Sequence, residues 1–341
     1  MANAAPAVAF PAPDIFEAER NFIMQLVDGS VIDGYVRRSD PEFPIAYQVT
    51  QEGPLMENGR SVIFYGQKYN RGAQGHYELE VRQPRVVIKV VRKVWLENHP
   101  QENIMSEIYV AQTYGDDVHI GSILDALEDD EHYYIIMPHL GIDILLDRDA
   151  NGPQPQALPE VTRSFVENLA FLKRLGILHC GISAENIMVS RSDERTSYPL
   201  IDFAMAKQCA RDGDQFLPVA REIPALRLGR LSYMSPEMVD IETPGNLYFG
   251  VDTWALGCTL FYLWTGRYLY ERPRDACWNY FVLNDVRSEV IQNERVQAIL
   301  LLFQGLLQQQ QDLLRRIFIP NPEDRVTVDD ILNHPYFSPI E

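Results

Sequence analysis

Cysteine, positive charge and long apolar runs are all scarce in this 341-residue sequence, and each scarcity excludes a class of protein. The four cysteines show no C-x-x-C spacing, so neither a zinc site nor a disulfide framework is predicted, and a reducing compartment is favoured. Only 30 lysines and arginines stand against 48 acidic residues. The resulting net charge of −18 argues against nucleic acid and against anionic membrane surfaces as partners.

Signals for export or membrane insertion are also missing from the sequence. Residues 1–13 (MANAAPAVAFPAP) lack the basic n-region and the long apolar core of a signal peptide. The most apolar run, residues 251–264, is too short to cross a bilayer and contains Asp252. We therefore expect an intracellular protein, cytoplasmic or nuclear, with no membrane partner.

The N-terminal 60 residues carry the weakest pattern in the chain. Residues 1–13 are rich in alanine and proline and are predicted to be disordered. Residues 15–62 contain short β-like runs broken by glycine and proline. Two alternatives remain open for them: extra strands packed on the following lobe, or a peptide-like arm. Residues 1–60 are accordingly predicted to be a partly disordered extension.

The remaining sequence predicts two lobes and an α+β fold class. Residues 61–137 contain short β-branched and aromatic runs at 61–65, 77–81, 86–91, 119–127 and 132–137, which predict a small antiparallel β lobe. Its one helix is predicted over residues 102–114, where Ile104, Ile108 and Ala111 share a face. Residues 138–338 are mainly helical, with helices predicted at 159–175, 251–264, 290–302 and 306–317.

Six short motifs follow one another along these lobes. They are residues 70–77 (NRGAQGHY), 86–89 (VVIK), 179–187 (HCGISAENI), 200–204 (LIDFA), 229–237 (GRLSYMSPE) and 251–257 (VDTWALG). In this order they resemble the motifs of the protein kinase superfamily, and of Ser/Thr kinases in particular. The resemblance covers most of the chain, from Gly72 to Arg325. It implies the two-lobed kinase fold, a small antiparallel lobe with one helix and a larger helical lobe.

The resemblance also implies residues for ATP with Mg²⁺. Lys89 is the lysine that holds the α- and β-phosphates, and Glu107, 18 residues later, is its expected carboxylate partner, with Glu102 as a less well spaced alternative. Asn186 and Asp202 are the implied metal ligands. The other implied nucleotide contacts are Gly72 and Gly75 of the loop, Met137 and Leu140 of the hinge, and Met188.

The departures from the family pattern lie on the side of the phosphoryl acceptor. Gly181 stands where the family has the catalytic aspartate, so no side chain there accepts a proton. Ser183 stands at the catalytic lysine position, and Arg230 replaces the threonine of the substrate loop. Cys180 replaces the arginine that orders a phosphorylated activation loop. On the nucleotide side, Tyr77 and Val87 are predicted to add bulk above the base, so nucleotide binding stays open.

Three functions follow as alternatives. The first is a pseudokinase, a kinase-like scaffold or allosteric regulator whose protein partner is an active kinase or its substrate. The second is an atypical Ser/Thr kinase in which Glu185 or a water takes the place of the base. The third is an adaptor that acts through the N-terminal arm or the acidic surface. The resemblance further implies two architectural contacts, a Glu237–Arg325 pair and an anchor from Asp252 to the catalytic loop.

Overall fold

The structure is a computed structural model of the whole chain, and it describes residues 4–38, 43–82, 85–151, 158–191, 195–220, 230–239, 246–269, 303, 305–319 and 321–337. These residues contain both strands and helices, as predicted for an α+β protein. The chain divides into two compact units. One is formed by residues 11–141, and the other by residues 1–10 together with residues 142–341.

The unit of residues 11–141 consists mainly of strands. Its strands are β1 (Phe16–Gln25), β2 (Val31–Arg37), β3 (Ile45–Glu57), β4 (Ser61–Arg71), β5 (Tyr77–Leu79), β6 (Arg85–Arg92), β7 (Asp125–Glu128) and β8 (His132–Pro138), and its helices are α1 (Lys93–Asn98) and α2 (Ile104–Tyr114). The segment without a clear pattern thus supplies β1, β2 and β3. Of the two alternatives for residues 15–62, extra strands are what the structure contains.

These strands close into a barrel. The sheet order is β3-β2-β1-β7-β8-β6-β4-β5, and β3 also pairs with β4, which joins the two ends of the sheet and leaves β5 beside the ring. The interior is apolar because alternate residues of each strand point inward, as Val86 and Ile88 of β6 and Ile136 of β8 do. The N-terminal strands therefore bury a sheet face that water would otherwise cover.

Helix α2 packs on the outside of this barrel. Its N-terminus is capped by Asn103, whose side chain accepts a hydrogen bond from the Met105 amide at 3.0 Å. Ile104 and Ile108 are buried against Val91 of β6 and its neighbours. This is the apolar face that the helical spacing predicted, and it positions the polar residues of the same helix.

The unit of residues 1–10 and 142–341 consists mainly of helices. They are α3 (Ile144–Asn151), α4 (Leu158–Leu175), α5 (Pro236–Val239), α6 (Gly250–Thr265), α7 (Gln308–Ile317) and α8 (Val328–Leu332), with 3-10 turns at Ala184–Asn186, Phe203–Met205, Leu231–Tyr233 and Pro335–Phe337. Short strands pair between them: β9 (Ile142–Asp143), β10 (Ile177–Leu178), β11 (Met188–Arg191), β12 (Thr196–Ser197), β13 (Lys207–Gln208), β14 (Arg211–Asp212), β15 (Gln215–Phe216), β16 (Val219–Ala220) and β17 (Asn246–Leu247). The predicted helix at 290–302 lies outside the described residues.

Two glycines show why the helices of this unit end and pack where they do. Helix α4 ends at Gly176, whose φ of 72° is accessible to glycine at little cost, as the sequence predicted. Gly257 of α6 lies under α7, and a Cβ there would stand 2.5 Å from Ile317. The close approach buries most of α6, including Trp254. No helix within the described part of the chain is long and apolar enough to cross a membrane.

Residues 4–10 correct the prediction of disorder at the N-terminus. The Ala5 amide donates to the carbonyl of Pro218 at 3.1 Å, and the Val8 amide donates to that of Gln208 at 2.8 Å. Composition gave no sign of these contacts because they are made by peptide groups, which every residue carries. Alanine and proline here indicate an extended segment with little side-chain burial.

Candidate active-site residues

Lys89 and Glu107 form a buried ion pair in the unit of residues 11–141. The Lys89 Nζ lies 2.6 Å from Glu107 Oε1, and both side chains are almost inaccessible to water. Strand β6 brings Lys89 to the outside of the barrel because Val86 and Ile88 take the inward positions. Helix α2 then presents Glu107 beside it. The predicted pairing of these two residues is confirmed, and Glu107 is the partner.

Glu102 has a different partner, Arg60, which the sequence did not single out. The Arg60 Nε lies 2.8 Å from Glu102 Oε2, and its Nη2 lies 3.4 Å from Glu107 Oε2. Arg60 therefore shares Glu107 with Lys89, so that two cations surround one buried carboxylate. Its place in the turn that precedes β4 carries no sequence signal for this role.

The glycine-containing loop is a closed hairpin turn. The Gly72 amide donates to the His76 carbonyl at 2.8 Å, and the Gly75 amide donates to the Gly72 carbonyl at 2.9 Å. Gly75 has a φ of 83°, which the turn requires. Both amides that the family resemblance assigns to phosphate are thus engaged within the loop. Binding of a phosphate by these amides requires the turn to open.

Tyr77 does not stand above a base, contrary to the prediction from its position after the loop. Its side chain is buried in a cluster with Met24, Val36 and Tyr69, and its hydroxyl donates to the Phe43 carbonyl at 2.7 Å. Strands that the sequence did not define supply this cluster. The predicted obstruction by Tyr77 is therefore wrong, because the N-terminal strands bind the ring.

The hinge residues lie at the end of β8, next to Val87 of β6. Val87 pairs with Met137 across β6 and β8, and both side chains are half-buried. Leu140 follows β8 and is also half-buried. Beside them, the rings of Tyr65 and His139 lie 5.4 Å apart. These side chains give one edge of the barrel an apolar and aromatic character.

In the other unit, Asp252 anchors the catalytic loop as predicted. Its Oδ2 accepts from the His179 amide at 2.7 Å, and its Oδ1 accepts from the Cys180 amide at 2.9 Å. Burial raises the pKa of Asp252 to about 6, against the effect of these two amides. Cys180 has a φ of 58°, an unfavourable conformation for a non-glycine residue that the two hydrogen bonds hold in place.

His179 connects the catalytic loop to the strand that precedes Asp202. Its Nδ1 accepts from the Gly181 amide at 3.2 Å, so its Nε2 carries the proton and donates to the Ile201 carbonyl, also at 3.2 Å. Complete burial lowers the pKa of His179 to about 4, which keeps the imidazole neutral. A neutral ring satisfies both contacts at once.

The residues implied as metal ligands lie close to this loop. Asn186 Nδ2 donates to the Gly181 carbonyl at 2.8 Å, which leaves its Oδ1 as an acceptor. Asp202 is half-buried and has a φ of 63°, the second left-handed non-glycine residue of this region. The peptide groups of residues 186 and 201 are hydrogen-bonded at 3.0 Å, and Met188 bonds to Pro199. The fold thus joins the segments that carry Asn186 and Asp202.

Glu185 is held by the residue that replaces the family threonine. Arg230 Nη1 forms an ion pair with Glu185 Oε1, and the Tyr233 hydroxyl lies 3.3 Å from Glu185 Oε2. The Ala184 amide donates to the same hydroxyl at 3.4 Å. A small cavity beside Gly181 is lined by Arg230 and Tyr233, whereas Ser183 is buried. The carboxylate nearest in sequence to the missing base therefore already has a cation and a hydroxyl as partners.

Glu237 and Arg325 form the second predicted contact. Two parallel bonds of 2.7 and 3.0 Å join the guanidinium to the carboxylate, and the Arg325 side chain is completely buried. The same guanidinium also donates to the Gly250 carbonyl at 2.7 Å and lies 4.9 Å from the Trp254 ring. This pair links the segment after Arg230 to helix α6.

The family model of the protein kinase domain matches residues 73–337, which is most of the chain. The chain belongs to the protein kinase domain family. The Lys89–Glu107 pair, the anchored catalytic loop and the Glu237–Arg325 pair are therefore features of a protein kinase domain. The matched region begins after β4, so it leaves out most of the strands that close the barrel.

Similar kinases are found in distant organisms. A probable serine/threonine-protein kinase of Dictyostelium discoideum is 24% identical over 258 residues, and the MAP kinase-interacting serine/threonine-protein kinase mnk-1 of Caenorhabditis elegans is 25% identical over 263 residues. The alignments cover 74% and 72% of this chain but only 36% and 37% of those proteins. The serine/threonine-protein kinase SRK2C of Arabidopsis thaliana is 26% identical over 176 residues, which is 51% of this chain and 46% of that kinase.

Proposed function

We propose that this protein kinase domain is a pseudokinase, which acts on a protein partner as a scaffold or allosteric regulator and does not transfer phosphate. One observation carries the proposal: the acceptor side lacks a base at Gly181, and Glu185 is bound by Arg230 and Tyr233. A positioned general base contributes about 10²–10⁴-fold in rate. A carboxylate whose oxygens already have an arginine and a tyrosine hydroxyl as partners is a poor substitute, because those oxygens are not free to accept a proton from a substrate.

We also propose that Mg-ATP still binds, weakly. Lys89, Asn186 and Asp202 are suited to bind the phosphates and the metal, whereas the glycine-containing loop is not. Lys89 is held by Glu107 at 2.6 Å, and Asn186 and Asp202 present oxygen ligands of the kind that Mg²⁺ prefers. When bound, Mg-ATP supplies an electrophilic γ-phosphoryl group. The engaged amides of Gly72 and Gly75 oppose tight binding, whereas the burial of Tyr77 removes the obstruction that the sequence predicted.

The proposal is tested by measuring phosphorylation of generic protein substrates and of the chain itself with Mg-ATP. We expect the wild type to equal the double variant Lys89→Met, Asp202→Ala, in which the implied nucleotide residues are removed. Activity clearly above this control and dependent on Mg²⁺ contradicts the proposal and favours the atypical kinase. In that case Glu185→Gln, which keeps the size of the side chain, separates a base at Glu185 from a bound water.

The triple variant Gly181→Asp, Ser183→Lys, Arg230→Thr tests whether restoring the three family residues of the acceptor side is enough to restore phosphoryl transfer. Among the described residues, the atom nearest to a Cβ at position 181 is His179 Nδ1 at 3.3 Å, so an aspartate fits there with a small adjustment. We expect transfer to rise by about tenfold or more above the wild type, since both the base and its neighbours return. If the triple variant folds and binds Mg-ATP but transfers no more phosphate than the wild type, the three acceptor-side substitutions do not explain the loss of activity.

A further inference from the structure

The segment of residues 207–220 is held by backbone contacts along its whole length. β13 pairs with β10, β14 and β15 form a hairpin, and β16 pairs with β17. Each of the strands β13 and β16 has a second edge, and an open strand edge presents peptide groups that pair readily with another chain. In this structure both second edges are used by residues 4–10.

Residues 4–10, which we call the strap, bridge the two strands. Ala5 donates to Pro218 and accepts from the Ala220 amide at 2.8 Å, while the Val8 amide donates to Gln208 at 2.8 Å. These two anchoring points lie 11 residues apart in the segment, one on each side of the hairpin of β14 and β15. The strap therefore ties the two ends of the hairpin together.

The composition of the strap suits a contact made by peptide groups. No charged side chain occurs before Asp14, although 23% of the whole chain is charged, so the strap docks without desolvating a side-chain charge. The Val8 side chain is 47% exposed, so it contributes little to the contact. Proline favours the extended backbone and lowers the entropy that docking costs. Three backbone hydrogen bonds of this kind give a contact that is specific in register and weak enough to exchange.

We propose that the outer edges of β13 and β16 form a docking site for an extended, uncharged peptide, and that residues 4–10 of this chain are its resident occupant. Release of the strap frees both edges and loosens the segment of residues 207–220. The strap thereby controls a surface of the helical unit. The backbone pairing of the strap does not depend on whether the domain transfers phosphate.

The test compares hydrogen exchange in the full chain with exchange in a variant that lacks residues 1–10. The Ala220 amide is the reporter, since it donates to the strap, and the His179 amide, bound to Asp252, is the folded reference. We expect exchange at Ala220 to rise by about tenfold while that at His179 is unchanged. Unchanged exchange at Ala220 in the deleted protein contradicts the proposal.

A synthetic peptide of residues 1–13 then probes the site directly. Added to the deleted protein at millimolar concentration, it is expected to restore slow exchange at Ala220, and the same peptide with Val8→Pro is not, because proline has no amide to bond Gln208. Failure of the first peptide, or equal effects of both, overturns the docking site. A dimer of the full chain that dissociates on dilution as exchange at Ala220 rises overturns the intramolecular contact.

If the deletion unfolds the protein, seen as lost protection at His179, single substitutions in the full chain replace it. Val8→Pro removes one anchor and is expected to raise exchange at Ala220 several-fold, since the neighbouring anchor then frays. Ala7→Pro is the matched control, because the Ala7 amide makes no backbone hydrogen bond to a described residue. Equal exchange in the two variants contradicts the proposal.

Discussion

His179 is a residue whose protonation state the tertiary structure determines. Its ring nitrogens bond Gly181 and Ile201, and its ring lies 4.5 Å from that of Phe203. A proton on Nδ1 would remove the acceptor of the Gly181 amide. Complete burial disfavours the charged imidazole and lowers the pKa of His179 from 6.5 to about 4, while the unfolded chain keeps the higher value.

This pKa predicts a defined pH dependence of stability. Between pH 6.5 and 4 the unfolded chain binds a proton that the folded protein does not, so the free energy of unfolding falls as the pH falls. The contribution is at most about 3 kcal/mol. We expect the stability advantage of the wild type over His179→Asn, measured by urea unfolding, to shrink as the pH is lowered from 7 to 4.

The comparison between variants is needed because Asp252 acts in the opposite direction. Its raised pKa of about 6 favours the folded state at low pH, but the effect is common to both proteins and largely cancels. His132→Asn is the control, since its imidazole is in contact with solvent. If the difference in unfolding free energy between the wild type and His179→Asn does not change with pH, the imidazole is not held neutral in the folded protein.

Residue pairs also show how far sequence reasoning reaches into the site. Glu107 and Arg325 were predicted with their partners, because their spacing in the chain follows that of the family. The Arg60–Glu102 and Arg230–Glu185 pairs were not predicted. In each pair the arginine lies in or next to a turn, and a change in the conformation of that turn would move the end of the arginine side chain by several ångströms. Local sequence does not fix that placement.

Among the elements, β1, β2 and β3 are those whose role only the fold explains. An ion pair fastens them to the strands of the kinase lobe: Arg37 Nε of β2 lies 3.0 Å from Asp125 Oδ2 of β7, with the Tyr47 hydroxyl at 3.4 Å. The Asp125 carboxylate is nearly inaccessible, whereas the Arg37 side chain is about one-third exposed and lies over the Phe16 ring. Burial raises the pKa of Asp125 although Arg37 opposes the shift.

This asymmetry predicts unequal costs for the two partners. Arg37→Met leaves a buried carboxylate without its cation and is expected to cost about 3 kcal/mol of unfolding free energy at pH 7, more than Asp125→Asn, which leaves a solvated arginine. Because the raised pKa of Asp125 lets the folded protein keep a proton, the deficit of Arg37→Met should shrink as the pH falls towards 4.

The neighbouring Arg38→Met serves as the matched control for this experiment. Arg38 pairs with Glu17 and Glu19 on the surface, where such pairs contribute little, so its loss should change the unfolding free energy by less than about 1 kcal/mol. Equal costs for Arg37→Met and Arg38→Met would show that the N-terminal strands are not fastened by the buried pair. Denaturant unfolding at pH 7 and pH 5 provides the measurement.

The strands also show where pattern reading fails. The β-branched run at residues 86–91 predicted a strand, and β6 buries Val86 and Ile88 on one face while Val87 and Lys89 lie on the other. Tyr77 was misplaced because its position was inferred from the loop motif alone, whereas residues of β1, β2 and β3 surround its ring. An added layer changes which face of a strand is buried, and a strand's own sequence carries no sign of that layer.

For the whole molecule, nucleotide binding is the property that thermal unfolding tests most directly. A ligand at about ten times its Kd stabilises the native state by about 1.4 kcal/mol. In a protein of 341 residues we therefore expect Mg-ATP at that concentration to raise Tm by about 2 °C. Lys89→Met should abolish this shift, since the implied phosphate cation is gone.

The control for that measurement is Lys93→Met. Lys93 belongs to the same unit and forms a pair of equal length, 2.6 Å, with Glu128, so its loss reproduces the general effect of removing a lysine. Its variant should keep the Mg-ATP shift. No shift in the wild type, or a shift that survives Lys89→Met, rejects a nucleotide site at these residues while leaving the family assignment intact.

The sequence by itself determined the family, the order of the motifs, the missing base at Gly181 and the pairing of Lys89 with Glu107. These follow from residue identity and spacing, which can be read directly from the sequence and compared with the motifs of the family. Only the tertiary structure decided that residues 16–57 close a barrel, that Tyr77 is buried there, that Arg230 neutralises Glu185 and that the strap covers residues 207–220. The reason is physical: these contacts join residues distant in sequence, and several are made by peptide groups that all residues share.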